Sequence, residues 1–462
     1  MKKIKLTLND FFNLPDAEIF NPDKFRDITS VSIDSRKIGK NCLFIAIKGE
    51  RFDGHDFINE VIKKKVSAVL INKNQFERFK NLDIPFITVK DTTKSLGDIA
   101  SVWRDKLDAK VIGITGSAGK TTTKEMLASI LSVKFRVNKT VGNNNNHIGV
   151  PLTLLSTKAK DQIVVVEHGT NHFGEIKYTA NISRPDFALI TNIGHSHLEY
   201  LKDRKGVLKE KSALLKVTAK LGDLVFINKD DDLLSAYGRV FKRKITFGFD
   251  KQCDYKGKIE NIDKLGRATI EISYDKKKFS AKLPIAGEQN AKNFLAAFAI
   301  AKELKLSDKQ ILKGLKKIKS ASKRLEVKKF DNTIIINDSY NANPDSMKAS
   351  LKLLTRMKPA YRKIAVIGDM FELGRQSKRL HREIGSFINE LKLDEVYTVG
   401  KLSENIHKSL NGRVPVKKHF SEKTLLIKTL KKSDLKKSII LIKGSRGMKM
   451  EEIYSALEEK LK

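Results

Sequence analysis

The stretch "VIGITGSAGKTTTKEMLASIL", residues 111–131, limits the fold of this chain more than any other. Val111 to Thr115 is an apolar, β-branched-rich run, which predicts a strand. Beyond Lys120, the residues Met126, Leu127, Ile130 and Leu131 recur at helical spacing and mark one buried helix face. A strand that enters a helix through a glycine-rich turn opens a parallel βα unit. The turn ends in Gly119-Lys120-Thr121, as a phosphate-binding loop does, although the usual G-x-x-x-x-G-K-[ST] spacing would put glycine at 114. Ile occupies 114, and glycines stand at 113 and 116. Glycines let backbone N–H groups approach an anion, and the helix N-terminus adds its dipole. Gly116, Ser117, Gly119 and Thr122 are therefore read as the cradle of a nucleotide site. Lys120 can reach the β- and γ-phosphates of ATP, and Thr121 can place its hydroxyl on Mg²⁺. The alternative is a glycine-rich turn that binds nothing; the strand–turn–helix context favours ATP.

The same alternation extends on both sides. "QIVVVEHG", "DFALITNIG", "DLVFIN" and "KITFGF" follow as apolar strands between helical patterns, and "RATIEISYDKKKFSAKLPI" adds a hairpin around Asp275. Helices are expected near 290–304 and 307–318. From about 320 the rhythm restarts with "TIIIND", "KIAVIGDM", "EVYTVG" and "SIILIKG". Ahead of the loop, four β-rich runs and the helical "DTTKSLGDIASVWRDKL" form a smaller unit. The expected fold is α/β in three domains: a small N-terminal unit over 1–88, a central, mostly parallel sheet over 89–319, and a C-terminal doubly wound unit over 320–462.

A length of 462 residues suits three domains, and 40% hydrophobic content suits packed cores. Cys42 and Cys253 are the only cysteines, which suits a reducing compartment and gives no metal-ligand spacing. The basic N-terminus lacks an apolar h-region, and runs such as "FLAAFAIA" are far shorter than a membrane span. A cytoplasmic protein with no membrane insertion is expected. The net charge of +36 is spread through helical patterns such as "KGLKKIKS". It reads as solvated helix faces, and no nucleic-acid partner is expected.

Two further strand ends carry chemistry. Glu167 closes "QIVVVE", and His195 and His197 follow "FALITNIG". A carboxylate beside a phosphate loop can hold Mg²⁺, and histidine is a good ligand or base. In open parallel sheets such strand ends converge on one edge, where ligands bind. Each residue alone could equally be a solvated strand end or a loop histidine.

Together, "GITGSAGKTTTKE", "TVGNNNNHIGVPLTLL", "EHGTNHFGEI" and "TNIGHSHLE" resemble the central domain of the Mur ligases. "DSRKIGKNCLFIAIKGERFDGHDF", "NDSYNANPDSMKASL", "GDMFELGRQSKRLHREIG" and "IKGSRGMKMEE" extend the resemblance over nearly the whole chain, with a Rossmann-like third domain. These are ATP-dependent amide ligases of peptidoglycan precursor synthesis. The resemblance is strongest to the member that joins D-alanyl-D-alanine to UDP-N-acetylmuramoyl-tripeptide. It implies an acyl-phosphate intermediate and probes neither oligomeric state, expected to be a monomer, nor whether the third peptide residue is lysine or diaminopimelate.

The resemblance also implies roles residue by residue. Lys120 and Thr121 match the phosphate and Mg²⁺ residues, Glu167 a Mg²⁺ ligand, and His197 the histidine of a second metal. Lys211 matches a lysine carbamylated by CO₂, with Lys209 its rival. On a helix, residues 209 and 211 lie about 200° apart, and Lys211 falls amid Leu208, Leu214 and Leu215. Asn290 and Asn293 match adenine contacts, although Asn290 could also cap its helix. Arg324 matches a residue reaching toward the phosphates, and Asp338 and Tyr340 match the segment facing the nucleotide. Asn341 and Asn343 follow them. Ser35 and Arg36 match the segment that holds the uridine part, and Asn143, Asn145 and Asn146 the loop facing the substrate. The "NNNN" run could also be a plain turn. The chain departs from the family at Gln289, where His is common, at Asn337, where Asp is common, and in "LKDRKGVLKEK".

Sibling ligases, which add the third amino acid or add glutamates to folate, are disfavoured by "SYNANP" and by the lack of D-N-P-R. A nucleic-acid motor would need a D-E pair at the second strand, which carries Glu167-His168 instead.

Overall fold

The computed structural model describes residues 4–250 and 252–462 and contains three sheets. The first comprises β1 (Glu18–Phe20), β2 (Ser30–Ser32), β3 (Cys42–Ile45), β4 (Ala68–Asn72) and β5 (Phe86–Val89) in the order β1-β5-β4-β3-β2. Only β1 is antiparallel to its neighbour. Its Glu18-Ile19-Phe20 is closed off at once by Asn21-Pro22, so it does not register as a β-rich run.

The central sheet comprises β6 (Lys110–Thr115), β7 (Val137–Lys139), β8 (Ile163–Glu167), β9 (Phe187–Ile190), β10 (Leu224–Asn228), β11 (Lys244–Gly248), β12 (Tyr255–Ile262), β13 (Arg267–Tyr274) and β14 (Lys277–Ala286). Its order is β14-β13-β12-β11-β10-β9-β6-β8-β7, parallel from β7 through β12 and antiparallel beyond. The hairpin falls where the sequence puts it. Asp275 and Lys276 at its tip both have positive φ (42° and 57°), the twist a two-residue hairpin turn demands. The helix Glu288–Glu303 buries every residue from Asn290 to Ala301 except Lys292, as a helix apolar around most of its circumference must.

The third sheet comprises β15 (Glu326–Phe330), β16 (Thr333–Asp338), β17 (Arg362–Gly368), β18 (Glu395–Val399), β19 (Val416–Phe420) and β20 (Ser438–Lys443), ordered β15-β16-β20-β17-β18-β19. All neighbours are parallel except β15 and β16. The last strand enters between the first two parallel ones, which gives the doubly wound topology.

The domains share cores. The helix Thr92–Asp105 buries Leu96, Ile99, Ala100 and Trp103 in one cluster with Leu43 and Leu70 of the first sheet and Val164 of the second. Trp103 Nε1 donates to the Thr157 carbonyl at 3.0 Å. A second cluster runs from Ile190 and Leu214 of the central domain to Ile334, Met347 and Leu351 of the third. Among the described residues, no helix is long and apolar enough to cross a membrane. The order β9-β6-β8 brings the strand ends Ile190, Thr115 and Glu167 to one sheet edge, with Thr115 paired to Ile190 and Ile114 to Glu167.

Candidate active site

The phosphate loop answers its spacing question locally. Gly116 has φ 151° and Gly119 φ 83°, a range that glycine adopts without Cβ strain. A Cβ on Gly119 would also stand 2.4 Å from Asn293 Oδ1. Gly113 lies within β6, where a Cβ would meet Pro185 Cγ at 2.9 Å and Leu214 Cδ1 at 3.0 Å. One glycine therefore serves packing against the helix Arg204–Lys220, and the other two shape the loop. The segment after β9 braces that loop. Ser117 N donates to the Asn192 carbonyl at 3.0 Å, and Ala118 N donates to Asn192 Oδ1 at 3.0 Å. The helix Lys120–Leu131 begins at the loop's end, so its free N–H groups and dipole favour an anion there. Lys120 Nζ donates to the Gly116 carbonyl at 2.6 Å. Burial lowers its ammonium pKa against the opposing pull of Glu167.

Glu167 is buried and held from three sides. Its Oε1 accepts from Thr121 Oγ1 at 3.0 Å and Asn145 Nδ2 at 2.9 Å. Its Oε2 lies 3.3 Å from Lys124 Nζ. Lys124 is wholly buried, 3.4 Å from Glu125 Oε1, and donates to the Gly142 carbonyl at 3.0 Å. One cation therefore ties the loop helix, the β8 carboxylate and the asparagine loop together. Sequence reading overlooked it among many lysines. The signal was its position three residues before Leu127 and seven before Leu131, on the buried stripe.

His197 Nδ1 lies 2.6 Å from Glu372 Oε2 of the third domain, without hydrogen-bond alignment. Burial lowers the His197 pKa, and the Lys211 charge adds to this. Lys211 itself is wholly buried, and its Nζ has no hydrogen-bond partner among the described residues. Its pKa falls well below the usual lysine value, first by burial and then by the neighbouring Lys120 charge. Lys209 is exposed and lies 5.5 Å over the Phe173 ring. The two lysines thus face opposite sides, as the helical spacing predicts. Glu210 fixes the same helix. It accepts from Gly174 N and Ile176 N, each at 2.7 Å, satisfying orphan donors at the start of Glu175–Ser183.

The third domain closes the site. Arg324 stacks 3.8 Å over the Tyr340 ring, and Arg446 lies 5.7 Å from the same ring. Asp338 is buried and engaged: Oδ1 accepts from Leu325 N at 3.1 Å, and Oδ2 from Ser350 Oγ and Lys443 Nζ, each at 2.6 Å. Asn343 caps the helix Pro344–Arg356 in a reciprocal box with Ser346, and its Nδ2 donates to the Ser117 carbonyl at 3.4 Å. Asn341 Oδ1 accepts from Ala342 N at 2.9 Å and Arg446 N at 3.3 Å. Asp345 Oδ2 accepts from His195 N at 2.8 Å, which brings into the interface a histidine the sequence analysis left unassigned.

A cleft of about 650 Å³ lies between these two domains. Ser117, Gly119, Lys120, Thr121, Thr122, Asn143, Asn145, Glu167, His197, Asn290, Asn293, Arg324, Asp338, Tyr340, Asn341 and Asn343 all line it. Gly116 and Lys211 are buried and stand outside the lining. Asn290 does not cap its helix: Gly287 stands at the cap, and Asn290 Nδ2 donates to the Ala286 carbonyl at 2.6 Å from within the first turn. Asn293 Nδ2 donates to Asn290 Oδ1 at 3.2 Å. Gln289, one of the departures, lines the cleft. A second, Asn337, is buried, and its Oδ1 accepts from Ser339 Oγ at 2.6 Å. Asn146 is outside the lining and shapes a turn, accepting from Gly149 N at 2.9 Å. Ser35 and Arg36 lie on the first domain, away from this cleft. Arg36 Nε donates to Asp34 Oδ1 at 2.8 Å, and the Ser35 carbonyl accepts from Lys64 Nζ at 2.8 Å.

Family models match all three domains: "Mur ligase family, catalytic domain" over residues 27–104, "Mur ligase middle domain" over 114–301, and "Mur ligase, glutamate ligase domain" over 323–446. The chain belongs to the Mur ligase family. Among other Mur ligases it is 36% identical to the UDP-N-acetylmuramoyl-tripeptide–D-alanyl-D-alanine ligase of Bacillus subtilis, with 99% of each chain covered. It is 35% identical to the enzyme of the same name from Escherichia coli, again covering 99% of each. A crystal structure of MurF from Acinetobacter baumannii superposes with a TM-score of 0.87 at 31% identity, covering 99% of this chain and 100% of that one. MurF from Thermotoga maritima in complex with ADP gives 0.83 at 28% identity, covering 94% and 97%. The three-domain α/β architecture is that of the Mur ligases.

Proposed function

We propose that the cleft joins D-alanyl-D-alanine to the tripeptide of UDP-N-acetylmuramoyl-tripeptide, using ATP, as the names of its relatives indicate. One observation carries the reading: the phosphate loop, Glu167, His197 and the buried Lys211 meet at one sheet edge, under Arg324 and Tyr340 of the next domain. A carboxylate is a poor electrophile. Transfer of the γ-phosphoryl group forms a bond from the tripeptide's carboxylate oxygen to phosphorus, breaks the β–γ bridge and releases ADP. The dipeptide amine then attacks the acyl carbon and loses a proton, and the carbon–oxygen bond to phosphate breaks. The chain contributes positioning and charge. Lys120 and the helix N-terminus bind phosphate oxygens, Asn290 and Asn293 form the adenine wall, and Arg324 and Tyr340 cover the nucleotide. Asn143 and Asn145 orient the peptide, Asn341 and Asn343 hold the third-domain loop against the phosphate loop, and Ser35 and Arg36 take the uridine part.

The donor set fits Mg²⁺. Thr121 Oγ1 donates to Glu167 Oε1 at 3.0 Å, so a hydroxyl and a carboxylate oxygen stand together at the phosphate loop, which suits an ion held by one or two carboxylates plus phosphates. Thr121 and Glu167 would hold one ion and His197 with a carbamate on Lys211 another, neutralising phosphate charge. The orphaned, buried Lys211 Nζ supports that modification, because its depressed pKa leaves the free amine that adds to CO₂ with loss of a proton. In this reading the first domain serves the nucleotide-linked substrate, and the reaction takes place in the cytoplasm. Tripeptide labelled with ¹⁸O in its terminal carboxylate tests the chemistry: one labelled oxygen should appear in the released phosphate. Unlabelled phosphate would refute activation of the carboxylate.

A further inference from the structure

A second cavity, of about 680 Å³, opens from the cleft past Thr121, Asn143, Arg324 and Tyr340, which line both. Its floor is the outer face of the helix Lys120–Leu131, with Glu125, Ala128 and Ser129, and its wall is the interdomain segment 317–324. Its charge is one-sided. Lys139, Lys317, Lys319, Lys323, Arg324 and Arg446 line it against the single carboxylate of Glu125. Glu125 pairs with Lys139, while Lys323 and Arg446 share Glu451, each at 3.0 Å. Lys317, Lys319 and Arg324 form no ion pair among the described residues. A concave, cation-lined space raises the local concentration of anions and repels cations.

We propose that this cavity is a recognition site for a free carboxylate of a peptide reactant, distinct from the carboxylate being activated. The inference rests on the ligase reading above. The shared mouth places the cavity beside Thr121 and Asn143, and Asn143 is a residue the ligase reading gives to the peptide. Two sources carry such a carboxylate: the end of a diaminopimelate side chain at the tripeptide's third position, and the C-terminus of the incoming dipeptide. An ammonium-terminated lysine side chain meets six like charges there against the single carboxylate of Glu125, which already pairs with Lys139.

Steady-state phosphate release with two matched pairs separates the sources. One pair is diaminopimelate- against lysine-containing tripeptide; the other is D-alanyl-D-alanine against D-alanyl-D-alaninamide. The carboxylate-bearing member of one pair should have a KM at least about tenfold lower, the loss expected for one charge-assisted hydrogen bond, and that pair names the source. Lys317→Glu and Lys319→Glu should each shrink the preference by raising that KM, with kcat and the KM for ATP unchanged, the signature of lost uniform binding. Wild-type ratios within threefold for both pairs would overturn the proposal without any variant. So would a preference that survives both charge reversals in folded protein. Absence of turnover with every combination would overturn the ligase reading, and the cavity's assignment with it.

Discussion

Lys124→Met should destabilise the central domain more than any change at a surface lysine. The substitution keeps the side chain's length and apolar stem, so it opens little cavity, and it removes one charge from a wholly buried position. Lys124 Nζ stands 3.3 Å from Glu167 and 3.4 Å from Glu125, and donates to Gly142 at 3.0 Å. Removing one partner of a buried pair costs about 3–5 kcal/mol. Glu167 keeps Thr121 and Asn145, and Glu125 keeps Lys139, so the loss should fall near the lower end, about 3 kcal/mol. For a domain of this size that is a drop in Tm of about 6–12 °C, read by scanning calorimetry or circular dichroism. The double variant Lys124→Met/Glu167→Gln should recover about 2 kcal/mol of it, because replacing both partners removes the orphaned charge. A loss under about 1 kcal/mol for Lys124→Met, or a double variant no more stable than the single, would refute the pinning role.

Lys120→Ala should abolish phosphate release with the fold intact by circular dichroism; near-normal turnover in a folded variant would remove the loop from the mechanism. Lys211→Ala should lose most activity and regain part of it with a short carboxylate such as acetate, while Lys209→Ala stays active; the reverse pattern would mean the wrong lysine. Saturating ATP and tripeptide should shrink the radius of gyration in small-angle scattering as the domains close, and an unchanged radius would count against closure. His381 should make the third domain acid-sensitive. It is buried with Nε2 accepting from Met370 N at 3.0 Å and Nδ1 2.7 Å from the Ser377 carbonyl, a neutral tautomer, and burial depresses its pKa against the Ser377 contact. The unfolded chain takes up the proton first, so stability is full above the ordinary histidine pKa of about 6.5 and falls as pH drops below it. His381→Gln should flatten that slope in pH-dependent unfolding.

The parallel strands were legible because each is a long apolar run: "KVIGIT", "IVVVE" and "SIILIK" bury every or nearly every residue. The edge strands β7, β15 and β19 were not. "VNK", "EVKKF" and "VKKHF" are short and lysine-bearing, a composition that protects an edge and reads as loop. The phosphate loop, Glu167 and His197 were visible as residues at strand ends. Lys124, Lys443, Glu372 and Asp345 were not, because their partners lie far away in sequence and only packing brings them together. Asp345 meets His195 and Glu372 meets His197 across the domain interface, and no local pattern encodes such a contact. The asparagine assignments divide the same way: Asn145 reaches Glu167, whereas Asn146 serves its own turn.

The central claim is that one ATP is consumed for each amide formed between the two peptides. The most direct measurement follows ADP formation and the product mass together, with UDP-N-acetylmuramoyl-tripeptide and D-alanyl-D-alanine supplied singly and in combination. The account predicts ADP and a UDP-linked pentapeptide in equal amounts only when both are present. ADP formation that proceeds without the dipeptide and yields no pentapeptide would contradict it, as would an equal response to nucleic acid.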